Sequence, residues 1–290
     1  MRGSGAKNGL QSKLKILVVG AGSPNADMVA EVLRSASVEA EWTAKVKYPS
    51  LRRIIQVDVV YGIYLQTCSR YILLAKLLGR KTILHFVGSD AYRFAREKGW
   101  HKQIYWRTVL WASDLIFYVS PHLRELVRRP GIVLPFPIAM ESFKAAALRG
   151  VTPDRDILYF CPGGEKNERL YRLDWILEYA RAHPDEKITI IGNQTYPANY
   201  PPNLPNVSVI SYVPQSEMPD LYVRHKKLVR MTTEDGLPRM MHEALLCGLK
   251  VIYNGEEITQ IPPERDPSKF AEKVIEGIQT LDGQGFRDFS

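Results

Sequence analysis

The sequence predicts an α/β protein of two domains, each a parallel sheet wound with helices, and three observations carry that expectation. The chain has 290 residues, which at about 150 residues per domain makes two. Short β-branched runs alternate with helix-spaced segments in both halves, the order a doubly wound parallel sheet requires. A polar, proline-containing stretch interrupts the alternation once. The expected boundaries are a disordered leader over 1–13, a first Rossmann-like domain over 14–140, a linker over 141–156 and a second Rossmann-like domain over 157–290. The two are expected to face each other across a cleft, with ligands beyond the carboxyl ends of the strands.

The elements follow in order. Lys15-Ile-Leu-Val-Val-Gly20 is a buried-type strand ending in the turn Gly20-Ala-Gly22, and residues 26–35 continue with helical spacing of Met28, Val29 and Leu33. Further strands are expected at 57–61, 82–86 and 114–119, with helical features at 69–78 and 121–129. In the second half, strands are expected at 157–161, 187–192, 207–212, 227–232 and 249–254, with helices at 173–182 and 217–223. Residues 234–248 form a loop feeding a helix, with Pro238 near its first position and Gly248 just past its end.

Composition narrows the classes. Apolar residues make up 45% and charged residues 24%, so each half can bury a core and wholesale disorder is excluded. The most apolar stretch, 71–79, carries Lys76 in its middle and falls well short of the roughly 18 residues of a spanning helix. Cys68, Cys161 and Cys247 have no paired spacing, which suggests neither a disulfide framework nor a zinc cluster and fits a reducing cytosol. The Gly-, Ser- and Lys-rich first residues have no apolar segment behind them, so a signal peptide is not expected.

Charge divides the chain sharply. Residues 1–150 hold 23 Lys and Arg against 10 Asp and Glu, whereas residues 151–290 hold 16 against 21. The basic half suits an anionic partner: a phospholipid surface, a phosphorylated acceptor or nucleic acid. No recognisable RNA- or DNA-binding module accompanies it, and nucleic acid is not the expected partner. Within that half, Trp100 to Trp111 interleaves aromatics with cations, the pattern of an interfacial helix on an anionic membrane. The plain alternative is that Ile104, Thr108 and Trp111 pack inward as an ordinary core stripe.

The loop and helix over 234–248 carry the strongest chemical signal. A helix N-terminus after a glycine-containing loop presents free N–H groups and a positive dipole end, which suits a diphosphate near Gly236, Leu237 and Arg239. Glu243 lies inside that helix amid Met240, Met241, Ala244 and Leu246, where a carboxylate needs bonding partners. Ribose hydroxyls would serve, and so would a simple Arg239–Glu243 pair at i,i+4. His242 points about 100° away on an ideal helix and is assigned no catalytic part. His122 is expected on the surface, and Cys247 in helix-end packing. Asp154-Arg-Asp156 spells a metal-binding pattern but precedes a strand, and no metal is expected there. Gly20-Ala-Gly22 lacks the remaining elements of a dinucleotide fingerprint, so no nicotinamide cofactor is expected.

Asp235, seven residues, then Glu243-Ala-Leu-Leu-Cys-Gly248 resembles the signature of the retaining glycosyltransferases of family 4, the two-domain GT-B group. Asp235 stands where Glu is usual, and Glu234 is its neighbour and potential substitute. Other segments are similar in the same order: Thr82-Ile-Leu-His-Phe-Val-Gly-Ser-Asp90, residues 113–124, Ile191-Gly-Asn193 and residues 211–222. Together they span about residues 14–280. The chain departs from the family after the first strand of its second domain, where Cys161-Pro-Gly-Gly-Glu-Lys166 lacks the usual early arginine. Its first glycine turn, which includes Gly22, is also short.

The resemblance implies transfer of a sugar, with retention, from a nucleotide-diphosphate sugar such as a UDP- or GDP-sugar to an acceptor, expected to be lipid-linked or a cell-envelope glycan. It implies that Asp235 or Glu234 orients the sugar, Glu243 clamps the ribose and His85 bonds a sugar hydroxyl or supports developing charge. Lys166 and Arg169 would hold the diphosphate, with backbone approach at Gly163 and Gly164. Gly192 would lie on the base side, and Gly22, Ser89 and Asp90 complete the set. No cofactor or metal is implied. The expected setting is the cytoplasm, with peripheral attachment to the inner face of the cell membrane. A sugar-nucleotide epimerase of the same architecture and a non-catalytic nucleotide-sugar binding protein are the alternatives.

Overall fold

The computed structural model describes residues 13–20, 24–44, 49–192, 204–234 and 238–283. The chain divides into two units, one formed by 1–134 with 268–290 and the other by 135–267. Gly22, Asp235, Gly236 and Leu237 lie outside the described residues, as does most of the expected leader.

In the first unit the order is β1 (Lys15–Gly20), α1 (Pro24–Ser35), β2 (Glu39–Ala44), α2 (Leu51–Ile55), β3 (Val59–Ile63), α3 (Leu65–Leu77), β4 (Lys81–Phe86), α4 (Ser89–Arg96), α5 (Trp100–Ala112), β5 (Leu115–Tyr118), α6 (Pro121–Val127) and β6 (Ile132–Val133). The strands form one parallel sheet in the order β2-β1-β3-β4-β5-β6. Every residue of β3 is buried, as a strand covered on both faces demands. Edge strand β2 escapes a search for apolar runs because its Glu39-Ala-Glu-Trp-Thr-Ala44 buries only alternate stretches.

The second unit runs α7 (Met140–Ala147), β7 (Arg155–Phe160), α8 (Glu165–Leu170), α9 (Leu173–Ala182), β8 (Ile188–Ile191), β9 (Val207–Ile210), α10 (Met218–Val223), β10 (His225–Arg230), α11 (Arg239–Leu246), β11 (Lys250–Tyr253) and β12 (Glu256–Ile258). Its sheet order is β12-β11-β10-β7-β8-β9, parallel except for β12. Side chains alternate between two cores: Leu158 joins Tyr222, Met241 and Val251 on one face, while Ile157 and Tyr159 join Ile176 and Ile188 on the other.

Two boundaries differ from expectation. The stretch expected as a linker contains α7, whose Phe143 and Ala146 are buried in the second unit's core. The last helix, α12 (Pro267–Gly283), belongs with the first unit instead of the second. Its Phe270, Ala271, Val274 and Ile278 form a buried helical stripe. At Gly277 an added Cβ would meet Leu115 Cδ2 at 2.7 Å, so the helix backbone rests directly on β5.

Close approach also explains Gly62 in β3. A Cβ there would lie 2.6 Å from Cys68 Cβ and closer still to its Sγ, with Ile72 behind. Gly62→Ala should therefore destabilise the protein by about 1–3 kcal/mol through overpacking, read as a lower urea midpoint with an unchanged slope.

Candidate functional site

Parallel sheets open space where neighbouring strands send their connections in opposite directions, beyond the carboxyl edge. In the second unit that point lies between β7 and β10, and both strands end in the segments singled out from sequence. After β7 come Cys161, Pro162 and Gly163, all buried, and then Gly164 at φ 102°, a conformation that favours glycine. The turn is held by Asn167, whose side-chain amide donates to Gly163 O at 2.9 Å and whose backbone N–H donates to Gly164 O at 2.8 Å. Lys166 lies in α8, and Arg169 is exposed in its last turn. Gly192, at the end of β8, is buried and donates to Ile210 O.

Arg230 ends β10 and was not singled out from sequence. It is 4% exposed, with its guanidinium over the rings of Phe160 at 4.6 Å and Tyr171 at 4.9 Å. Those rings meet edge to face at 5.5 Å, and the Tyr159 hydroxyl pins the Tyr171 carbonyl at 2.6 Å. One guanidinium nitrogen donates to the Met240 thioether, a weak acceptor. Arginine thus stands at the carboxyl ends of both central strands, brought by β10 and not by the segment after β7. Its sequence signal was a cation closing the apolar run Leu228-Val229, two residues before Thr232.

The acidic loop after β10 is tied on both sides. Thr233 N donates to Leu170 O at the end of α8, and Thr232 N to the Asn254 side chain at 2.8 Å. Glu234 N donates to Thr232 Oγ1. These bonds bring the Gly163–Gly164 turn, Arg230 and Glu234 to one edge of one sheet. α11 then starts at Arg239 after Pro238, which supplies no side-chain cap, leaving its first N–H groups suited to an anion.

Glu243 is 4% exposed. Its Oε2 accepts from the Tyr222 hydroxyl at 3.0 Å and its Oε1 from Gln215 Nε2 at 3.1 Å. Those two bonds take the place of the simple helical pair with Arg239. Burial, and then the Glu243 charge, push the Tyr222 hydroxyl well above its ordinary pKa, so it remains a donor. A carboxylate offers about four acceptor positions, and two donors leave capacity for ligand hydroxyls. Tyr222 and Gln215 lie in a segment already similar to the family's, but one sequence alone does not reveal which side chains reach Glu243.

In the first unit, His85 is placed differently from the expected sugar contact. It is fully buried in β4, with Nε2 2.8 Å from Leu134 O and Nδ1 2.7 Å from the Tyr61 hydroxyl. A carbonyl only accepts, so Nε2 carries the proton and Nδ1 accepts from Tyr61. Phe117 and Tyr61 pack edgewise on the ring. Both nitrogens are spent inside the unit, and the histidine joins strands β3 and β4 to the chain leaving β6. Asp90 is likewise fully buried; its carboxylate accepts from Leu65, Val87 and Gly88 N–H groups at 3.0–3.1 Å. Burial raises its pKa against those donors. It staples the loops after β3 and β4, while Ser89 beside it is exposed.

Several residues set aside from sequence have structural partners. Asp154 pairs with Arg224 at 2.9 Å and Asp156 with Lys226 at 2.8 Å. His122 is exposed, and the Cys247 thiol donates to Phe143 O. His242 is buried, with Nδ1 lacking a hydrogen-bond partner among the described residues. Arg265 lies close enough to influence it; that arginine donates to Phe136 O while its own carbonyl accepts from Ile138 N.

No family model and no curated protein matches the chain. Solved structures do. Sucrose-phosphate synthase from Thermosynechococcus elongatus superposes with a TM-score of 0.58 at 13% identity, covering 94% of this chain and 90% of that one. Anabaena HepE in complex with UDP gives 0.57 at 13% identity, covering 94% and 91%. UDP-N-acetylglucosamine 2-epimerase from Rickettsia bellii gives 0.56 at 9% identity, covering 92% and 96%. At these identities the likeness establishes the fold: two six-stranded, mainly parallel α/β units of the GT-B type.

Two measurements test the local assignments. Tyr61→Phe removes the donor to a buried His85 nitrogen and should cost about 1–3 kcal/mol in urea unfolding. Burial, then Arg265, hold the His242 pKa down to about 3. Its unfolded form takes a proton near pH 6.5 while the folded form does not, so stability falls as pH drops below 6.5. The loss between pH 7 and pH 5 should be about 2 kcal/mol from this group, and His242→Leu should remove it.

Proposed function

We propose that this chain is a glycosyltransferase that moves a sugar from a nucleotide-diphosphate sugar to an acceptor, with retention and without a divalent metal. The observation that carries the reading is the cluster at the carboxyl ends of β7 and β10: a glycine turn, a buried arginine, a helix start to which Pro238 gives no side-chain cap, and a buried carboxylate with two donors among the described residues. Support also comes from the fold shared with HepE, which was solved with UDP and with UDP-glucose, and from the order of the family-like segments.

Breaking the bond between the anomeric carbon and the diphosphate builds negative charge on the leaving group and positive charge on the ring. On this reading Lys166, the N–H groups at Gly163 and Gly164, and those at Gly236, Leu237 and Arg239 stabilise the diphosphate through fixed dipoles and cations. Arg230 supplies the guanidinium missing after β7, with Arg169 as an outer cation. Glu243 accepts from ribose hydroxyls while Tyr222 keeps its other oxygen bonded. Asp235 or Glu234 orients the sugar, and Gly192 lies on the base side. His85 acts by holding the first unit together, not by touching the sugar. The acceptor is a lipid-linked sugar or a cell-envelope glycan.

A sugar-nucleotide epimerase is the second reading, favoured by the comparable likeness to UDP-N-acetylglucosamine 2-epimerase. The two differ in product: an epimerase converts the donor with no acceptor present, whereas a transferase releases nucleoside diphosphate on acceptor addition. A thermal-shift screen with UDP, GDP and their sugar conjugates comes first, and at least one should raise the melting temperature. Glu243→Gln should then lower kcat/KM tenfold to roughly a hundredfold, the worth of a bond to a charged group, with turnover persisting in EDTA. A wild-type melting temperature indifferent to every nucleotide would remove the proposal.

A further inference from the structure

The helix α5 is apolar on two opposite faces. Trp106, Val109, Leu110 and Ala112 are buried against the first unit. On the other side Trp100 is 65% exposed, Ile104 57% and Trp111 70%. At 100° per residue these three and Arg107 fall within a sector of about 60°, centred opposite the buried stripe. Ile104, Thr108 and Trp111 therefore do not pack inward, and the core-stripe alternative raised from sequence is corrected. Helix α3 lies alongside, joined by Tyr105 Oη donating to Ser69 Oγ at 2.9 Å. It adds Leu77, 84% exposed, and Arg70, also exposed.

Two largely exposed tryptophans on one helix face cost solvation energy that an isolated surface residue does not, and such a patch marks a surface that is covered in use. Its surroundings say by what. Residues 93–112 contain Arg93, Arg96, Lys98, Lys102 and Arg107 against the single acid Glu97, and Glu97 already pairs with Lys102. Tryptophan rings favour the level of lipid headgroups, and cations beside them favour anionic lipid. A narrow apolar stripe in a field of one sign fits an interfacial helix.

We infer that the outer face of α5, extended by Leu77, docks on an anionic phospholipid bilayer, with Trp100, Ile104 and Trp111 entering the headgroup boundary and Arg107, which shares their sector, binding lipid phosphate. No described helix is long and apolar enough to cross a membrane, and the attachment proposed is peripheral. The inference stands apart from the proposed catalytic activity.

The test is co-sedimentation of the full chain with vesicles of phosphatidylcholine, alone or mixed with phosphatidylglycerol. Wild type should bind the mixed vesicles, release from them as salt rises, and show a blue shift in tryptophan emission. The double variant Trp100→Ala/Trp111→Ala should bind about tenfold or more weakly, and Arg107→Glu should weaken the preference for anionic lipid. Heat protection by nucleotides should be the same in both variants as in wild type, which separates this result from the fate of the catalytic reading. Equal binding to both vesicle types, or unaltered binding by the tryptophan variant, would overturn the inference. So would a wild-type dimer in light scattering that the tryptophan variant dissolves, which would assign the stripe to a second copy of the chain.

Discussion

A parallel sheet covered by helices on both faces leaves one place where polar side chains from different strands can converge: the loops beyond its carboxyl edge. In the second unit everything of chemical interest depends on that constraint. The strands β7 and β10 are neighbours although 70 residues separate their pairing positions, Ile157 with Lys227 and Tyr159 with Val229. Their adjacency puts Arg230 over Phe160 and lets the Thr233 amide reach Leu170. The glycine turn and the acidic loop meet because the sheet is ordered this way. Local bonds shape each loop, and the strand order brings the two together.

Burial of polar side chains takes two forms here, and the difference decides which residues are candidates for chemistry. His85 has two ring nitrogens and both are used, one on a carbonyl and one on a hydroxyl. Asp90 accepts three backbone N–H groups and ties two loops. These are closed arrangements in which the stability of the first unit is the product. Glu243 is also buried but, among the described residues, receives two donors, one of them from the exposed Gln215. A carboxylate held in place yet able to accept more is suited to a ligand hydroxyl.

Helix α5 shows the same principle with apolar groups. A helix with one apolar stripe is explained by its own core; a second stripe opposite the first is not. Trp100 and Trp111 are largely exposed, whereas the buried Trp106 and Val109 account for the helix's place in the first unit. On the docking proposal, the surplus apolar face and the surrounding cations serve an interaction outside the chain.

Much of this was legible in the sequence. The apolar runs that became β1, β4, β5, β7, β8, β10 and β11 carry their own signal, because strands buried on both faces must be continuously hydrophobic. The pairing of glycine turn with helix start, and the carboxylate of Glu243 amid methionines, were likewise visible as local chemistry. Edge strand β2, with two glutamates in six residues, carries no such signal, nor does the return of α12 to the first unit, since a helical stripe does not state which sheet it will cover. Sequence by itself determined the element types, the parallel architecture and the loops that carry charge, because these depend on the neighbouring few residues. Only the tertiary structure decided that His85 is enclosed, that Arg230 stands beside the glycine turn, and that Trp100 and Trp111 face outward, because each depends on what distant segments pack against.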